Sequence, residues 1–261
     1  MITAADYLSA IAADGAALAA AAEDNLEVAV PSCPEWDVAE LVRHTGNVHR
    51  HKVAVIEVGG TQRPEVRRPI APPGGPSLLT WYREGLALLL DRLGTFDPET
   101  PAWSWAGDHR VAFWQRRMAQ ETLVHRWDAQ AAVGDIGPVD PELAADGVDE
   151  WLRVFLPDPD GAYQGAPGTV HLHRTDGEGE WLVELSSWPP VVSDGHAKGD
   201  SAVRGSAEQL LLFLWGRRPV GSVEVHGDQA MVEALRARRS AAVGLGQNSR
   251  SSSEALPRSS S

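Results

Sequence analysis

Apolar residues recur at helical spacing through the first half of the chain and alternate in short runs through the second. Residues 3–23 read as an Ala-rich amphipathic helix. A loop with Pro31 and Pro34 follows, and then D-V-A-E opens a second helix. Asp37 is its N-cap, and Glu40 is placed to reach back and complete a capping box. Val38, Leu41, Val42, Val48 and Val55 mark its buried face, and Gly59-Gly60 ends it. After a Pro- and Gly-rich link over 61–76, Leu78, Leu79, Leu86, Leu89 and Leu90 define a third helix near 77–94. A loop over 95–109 holds Pro98, Pro101, Trp103, Trp105 and Gly107 and leads to a fourth helix near 110–132. Four helices joined by such loops predict a bundle.

The period changes further on. Residues 141–155 predict one more helix, and the break PDPDG follows it. TVHLHRT and WLVELSS alternate around DGEGE, which predicts a β-hairpin. A further strand is expected at 200–204, a helix capped by Ser206, a strand in SVEVHG and a final helix capped by Asp228. The fold class is therefore α+β, with a helical unit over 1–140 and a small α+β unit over 141–242. Residues 243–261 are Ser-rich, lack an apolar face and are expected to form a disordered tail.

Composition narrows the function. A formal charge of -13 and a pI near 5.1 repel phosphate backbones, so nucleic acid is not an expected partner. Nothing approaches the about 18 uninterrupted apolar residues of a membrane span, and no basic segment precedes the first helix to make it a signal peptide. The single cysteine, Cys33, excludes an internal disulfide and fits a reducing cytoplasm. Cys33 is expected to pack rather than react. Ten tryptophans require that several be buried; Trp36 and Trp127 are expected to pack the bundle rather than to line a site. The sequence leaves the oligomeric state open and is compatible with a monomer.

Glu121 and His125 are four apart on the fourth helix, so both face one way, about a turn apart. With His44 from the second helix they make two imidazoles and a carboxylate, a three-ligand set for zinc with one position left for water or substrate. The same set suits iron, cobalt or nickel. Spacing alone more often marks a solvated pair on an outer face, and the H-E-x-x-H pattern of zinc proteases is missing. Asp128 is placed either to orient His125 or to pair with Arg126. His51 shares the face of His44, His109 sits in the loop before the fourth helix, and His171 and His173 share one face of a strand. Solvated histidines are the ordinary reading of all four.

Longer stretches carry more information. PSCPEWDVAELVRHTGNVHRH resembles the second-helix motif of the mycothiol-dependent maleylpyruvate isomerase family, where Pro-x-W-[TD]-V-x-x-L-x-x-H carries the first metal histidine, here His44. FWQRRMAQETLVHRWDAQAA resembles that family's fourth-helix motif and puts the metal Glu and His on Glu121 and His125. SAVRGSAEQLLLFLWGRRPVGSVEVHGD resembles its C-terminal domain, which is related to sterol-carrier-type folds. The resemblance covers roughly residues 1–240. It implies a DinB-like four-helix bundle, a zinc ion and mycothiol as thiol cosubstrate, acting on a small electrophile by isomerisation or S-transfer. It also makes Arg217, more than Arg218, a candidate to anchor a carboxylate of substrate or thiol through a bidentate pair, against a plain C-terminal helix cation. A thiol of pKa near 8.5 is mostly protonated at neutral pH, and coordination to zinc would yield a bound thiolate. Rival readings are a non-catalytic metal- or ligand-binding protein and a metal-dependent hydrolase acting without thiol.

Overall fold

A computed structural model describes residues 2–67, 69–157, 165–187 and 189–237. The expected Ser-rich tail and most of the PDPDG break fall outside these residues. The chain divides into two compact units between Leu143 and Ala144.

The first unit is built on four long helices, α1 (Ala4–Ala22), α2 (Val38–Val58), α3 (Gly75–Thr95) and α4 (Val111–Val133). Each starts for a local reason. Thr3 and Asp6 form a reciprocal capping box at α1. Asp37 accepts the Glu40 N–H at 2.8 Å at the head of α2. Only that half of the box predicted for α2 forms: the Glu40 carboxylate is instead bonded by Arg43 at 2.5 Å. Pro76 supplies the fixed φ suited to the first turn of α3. Gly134, with φ 73°, takes the left-handed conformation that closes α4.

Packing joins α1 to α3 and α4, and α2 to α3 and α4. Ile11, Leu18, Leu41, Val42, Leu89, Leu93 and Trp114 lie at the centre and are fully buried. α4 is the axis of the unit, with 16 of its 23 residues buried. Many of those are polar, so hydrophobic patterning alone could not have shown how enclosed it is. Several of their hydrogen bonds are made within the unit: Gln115 donates to the Leu93 carbonyl, Gln120 to the Leu143 carbonyl, and Arg126 to Asp14 and to the carbonyls of Gly137 and Pro138.

Next along the chain, α5 (Pro141–Glu150) starts before the division and is α-helical only to Glu150. Trp151–Phe155 widens to a π-turn in which the Leu156 N–H reaches the Trp151 carbonyl at 2.9 Å, where the sequence predicted one continuous helix. A five-stranded sheet follows in the order β3-β2-β1-β4-β5. Its strands are β1 (Thr169–Arg174), β2 (Glu180–Glu184), β3 (Val191–Asp194), β4 (Ser201–Gly205) and β5 (Glu224–His226), with α6 (Ala207–Leu214) and α7 (Gln229–Ala237). β1 and β2 form the predicted antiparallel hairpin, and β1 pairs with β4 in parallel. β3 was not predicted: it is a short, mostly exposed edge strand straight after Pro189-Pro190, a pair that reads as a break. Val170, Leu172, Val183 and Val203 bury one face of the sheet.

Gly15 on α1 marks a close approach to α3. A Cβ there would lie 2.5 Å and 2.7 Å from the two methyl carbons of the buried Leu86. Replacing Gly15 by Ala improves helix propensity but overpacks this contact. Urea denaturation of Gly15→Ala should show a net loss of about 1–2 kcal/mol.

Candidate metal centre

α2 and α4 bring His44, Glu121 and His125 together. His44 Nε2 lies 3.3 Å from Glu121 Oε1, and His125 Nε2 lies 3.4 Å from the same oxygen. The three donor atoms all lie within 4.8 Å of one another, and the two imidazoles meet edge to face with centroids 5.0 Å apart. A tetrahedral ion with bonds of about 2.0–2.1 Å separates its ligand atoms by about 3.3–3.4 Å. Both contacts to Glu121 already have that length. The side chain of His44 is 28% exposed and that of His125 10%, so the cluster is open on the α2 side and closed behind.

Each donor is held by another group. His125 Nδ1–H donates to Asp128 at 3.0 Å, which turns Nε2 toward Glu121. Asp128 is wholly buried and accepts the Ser32 hydroxyl at 2.5 Å on its other oxygen. Arg126 pairs with Asp14, so of the two readings for Asp128 the structure selects the imidazole partner. The buried Arg117 donates to Glu121 Oε2 at 2.9 Å, so Oε1 is the oxygen that faces the histidines. The Trp36 ring stands 4.8 Å from that of His44 and 6.4 Å from that of His125, so this half-buried tryptophan lines the cluster. Ser32 and Trp36 both come from the loop before α2. The residues present fit a divalent cation: two imidazoles whose Nε2 atoms offer lone pairs once deprotonated, and one carboxylate oxygen aimed between them.

Burial disfavours the ionised form of Glu121, but hydrogen bonds from His125 and His44 and the charges of His125 and Arg117 outweigh it and hold its carboxyl well below the usual range. Burial likewise pushes the His125 imidazolium down, yet bonding to Asp128 and Glu121 wins and raises its pKa to about 9.

Other sequence candidates fall elsewhere. His51 shares the face of His44 by spacing, but the histidine buried against α4 is His49, bonded to the Thr122 hydroxyl at 3.0 Å. That hydroxyl donates to the Met118 carbonyl, so His49 Nε2 carries the proton. Burial pushes the His49 pKa down to about 4. His109 Nδ1 accepts the Ser104 N–H at 3.1 Å and so shapes its own loop. Cys33 is half-buried rather than buried, in a turn. Arg217 lies in the second unit just past α6, where its Nη1 donates to the Trp215 carbonyl at 3.0 Å.

Arg117 and Lys52 escaped the sequence reading. Arg117 was within reach of it, standing four before Glu121 on one helix. Lys52 stands two turns beyond His44, with its ammonium 4.6 Å from the Trp114 ring and 5.7 Å from that of Trp105. Burial lowers its pKa to about 8 against the pull of Glu121.

Comparison with known proteins completes the picture. Residues 8–130 match the mycothiol maleylpyruvate isomerase N-terminal domain, and residues 142–234 match the C-terminal domain of the same enzyme family. The chain belongs to the mycothiol-dependent maleylpyruvate isomerase family. No curated protein and no solved structure matches it. The family implies an isomerase-like enzyme that uses a small-molecule thiol and a metal, and all three donor residues lie within the N-terminal match. Among the described residues, no helix is long and apolar enough to cross a membrane.

An ion ligated by His125 must displace a proton held to about pH 9. Zinc affinity measured by chelator competition should therefore rise with pH and level off near 9. In Asp128→Asn it should fall about 10- to 100-fold, and the levelling should come at lower pH because the charge that retains the proton is gone.

Proposed function

We propose that His44, Glu121 and His125 hold a divalent cation, zinc by the character of the donors, in an enzyme that uses mycothiol to isomerise or S-conjugate a small electrophile. The observation that supports this most directly is the approach of two imidazole nitrogens from different helices to one carboxylate oxygen, at 3.3 Å and 3.4 Å. Three protein donors leave a coordination position for a further ligand. Bound there, the cation would lower the pKa of a thiol and supply a thiolate nucleophile at neutral pH.

The chain's own residues prepare the place. Asp128 and Ser32 fix the His125 ring, Arg117 fixes the Glu121 carboxylate, and Trp36 shields one side of His44 from water. Addition of the thiol sulfur to a conjugated double bond, rotation about the single bond formed and loss of the sulfur gives isomerisation. If the sulfur stays attached, the product is a conjugate. Both start from the same residues, so the electrophile decides between them. Arg217 is proposed to anchor a carboxylate of substrate or thiol. A reduced cosubstrate and the single cysteine suit the cytoplasm.

Purified protein should contain metal and consume maleylpyruvate or a bimane electrophile only when mycothiol is added. His125→Ala and Glu121→Ala should lose metal at this cluster together with turnover, while circular dichroism stays unchanged. Arg217→Ala should raise KM about ten- to a hundredfold with metal retained. Tight thiol binding without turnover would make the chain a binding protein, and ester or amide cleavage without thiol would make it a hydrolase. Either result overturns the proposal.

A further inference from the structure

The second unit holds another convergence of donors. β1 and β2 pair antiparallel with His173 directly opposite Glu180. His171 lies two residues before His173, on the same face of the sheet. The Glu180 carboxylate sits between them, with Oε1 2.9 Å from His173 Nδ1 and Oε2 3.1 Å from His171 Nε2. A third ring arrives from beyond β3. The Gly195 N–H bonds the Glu180 carbonyl at 3.0 Å, and its φ of 108° turns the chain back over the sheet. That turn carries His196 Nδ1 to 2.8 Å from Glu180 Oε2.

The geometry points to a second divalent-cation site, formed by His171, His173, Glu180 and His196. The four donor atoms lie within 4.8 Å of one another and come from three separate segments. Simple ion pairing does not account for the arrangement, since one carboxylate balances one imidazolium and here three rings turn a nitrogen to it. His171 is only 5% exposed, which excludes the solvated reading of the strand histidines for that residue. The contacts of His171 and His196 to Oε2, 3.1 Å and 2.8 Å, need to open by only a few tenths of an ångström to reach the about 3.3 Å edge of a tetrahedral site, while His173 faces the other oxygen of the same carboxylate.

Donor type selects the ion. Three imidazoles and one carboxylate suit zinc or a neighbouring transition metal, and they disfavour calcium or magnesium, which need more oxygen. Four protein donors fill a tetrahedron, so the site is closed and structural, unlike the three-donor cluster on α2 and α4. Its effect is to tie the central hairpin to the chain leaving the edge strand β3. This inference does not depend on the proposed thiol chemistry.

The test is zinc titration of the chelator-stripped full-length chain against a chromophoric competitor of submicromolar affinity, which ignores isolated surface histidines. Wild type should bind two equivalents. His196→Ala removes an 81%-exposed side chain outside the strands, so the fold should survive. It should bind one equivalent, with the affinity of the lost site down by about 100-fold or more. Glu180→Gln should behave likewise, whereas His125→Ala should keep the second-unit equivalent. Zinc should raise the melting temperature of His125→Ala and leave a His125→Ala/His196→Ala double variant unmoved. If His125→Ala binds no zinc, or if His196→Ala and Glu180→Gln both bind as wild type does, the second site does not exist. A wild type that binds a single equivalent, lost in His196→Ala but kept in His125→Ala, would sink the cluster on α2 and α4 and leave this one standing.

Discussion

The first unit turns on a single carboxylate. Glu121 stands where α2 and α4 face each other, with a guanidinium on one oxygen and two imidazoles on the other. A buried carboxylate without partners costs several kcal/mol or takes up a proton. Here the surrounding groups reverse that outcome and keep it ionised. The requirement explains the neighbourhood: Arg117 must come from the same helix face one turn earlier, His44 must come across from α2, and His125 must be steered by its own acid, Asp128. Removing any one would leave another buried charge exposed to its neighbours, so the cluster is coupled internally.

The bundle and its chemistry were legible to different depths. Helix limits followed from period and punctuation because Asp37, Gly59 and Ser206 act locally, and local signals survive in a linear reading. Glu121 and His125 were legible as a pair for the same reason. His44 was not fixed by spacing, since the distance between α2 and α4 is a tertiary fact, and it took a family motif to choose it over His49 and His51. Ser32 and Trp36 enter through a loop whose path no periodicity describes. The choice between Asp128 as imidazole partner and as surface ion pair required knowing that Arg126 is engaged by Asp14.

The sheet shows the same limit more sharply. His171 and His173 could be placed on one face from alternation alone, but the register that sets Glu180 opposite His173 and the turn at Gly195 lie outside what alternation encodes. β3 was hidden by its prolines and its exposure, and the parallel pairing of β1 with β4 was hidden because only the chain's return path decides it. Under the two assignments proposed above, donor count separates the clusters: three protein ligands would leave room for chemistry, and four would leave none.

The enclosure of α4 has one more consequence. A helix wrapped on nearly every side cannot fray or melt by itself, and its amides exchange with solvent only when the surrounding helices come apart. The donors it carries, Glu121 and His125, are therefore anchored in the slowest-opening part of the unit. Any breathing that admits or releases a bound molecule has to come from the opposite wall, the start of α2 and the short stretch that delivers Ser32 and Trp36. In the proposed site, the rigid half of the cluster would set the coordination, and the looser half the rate of passage.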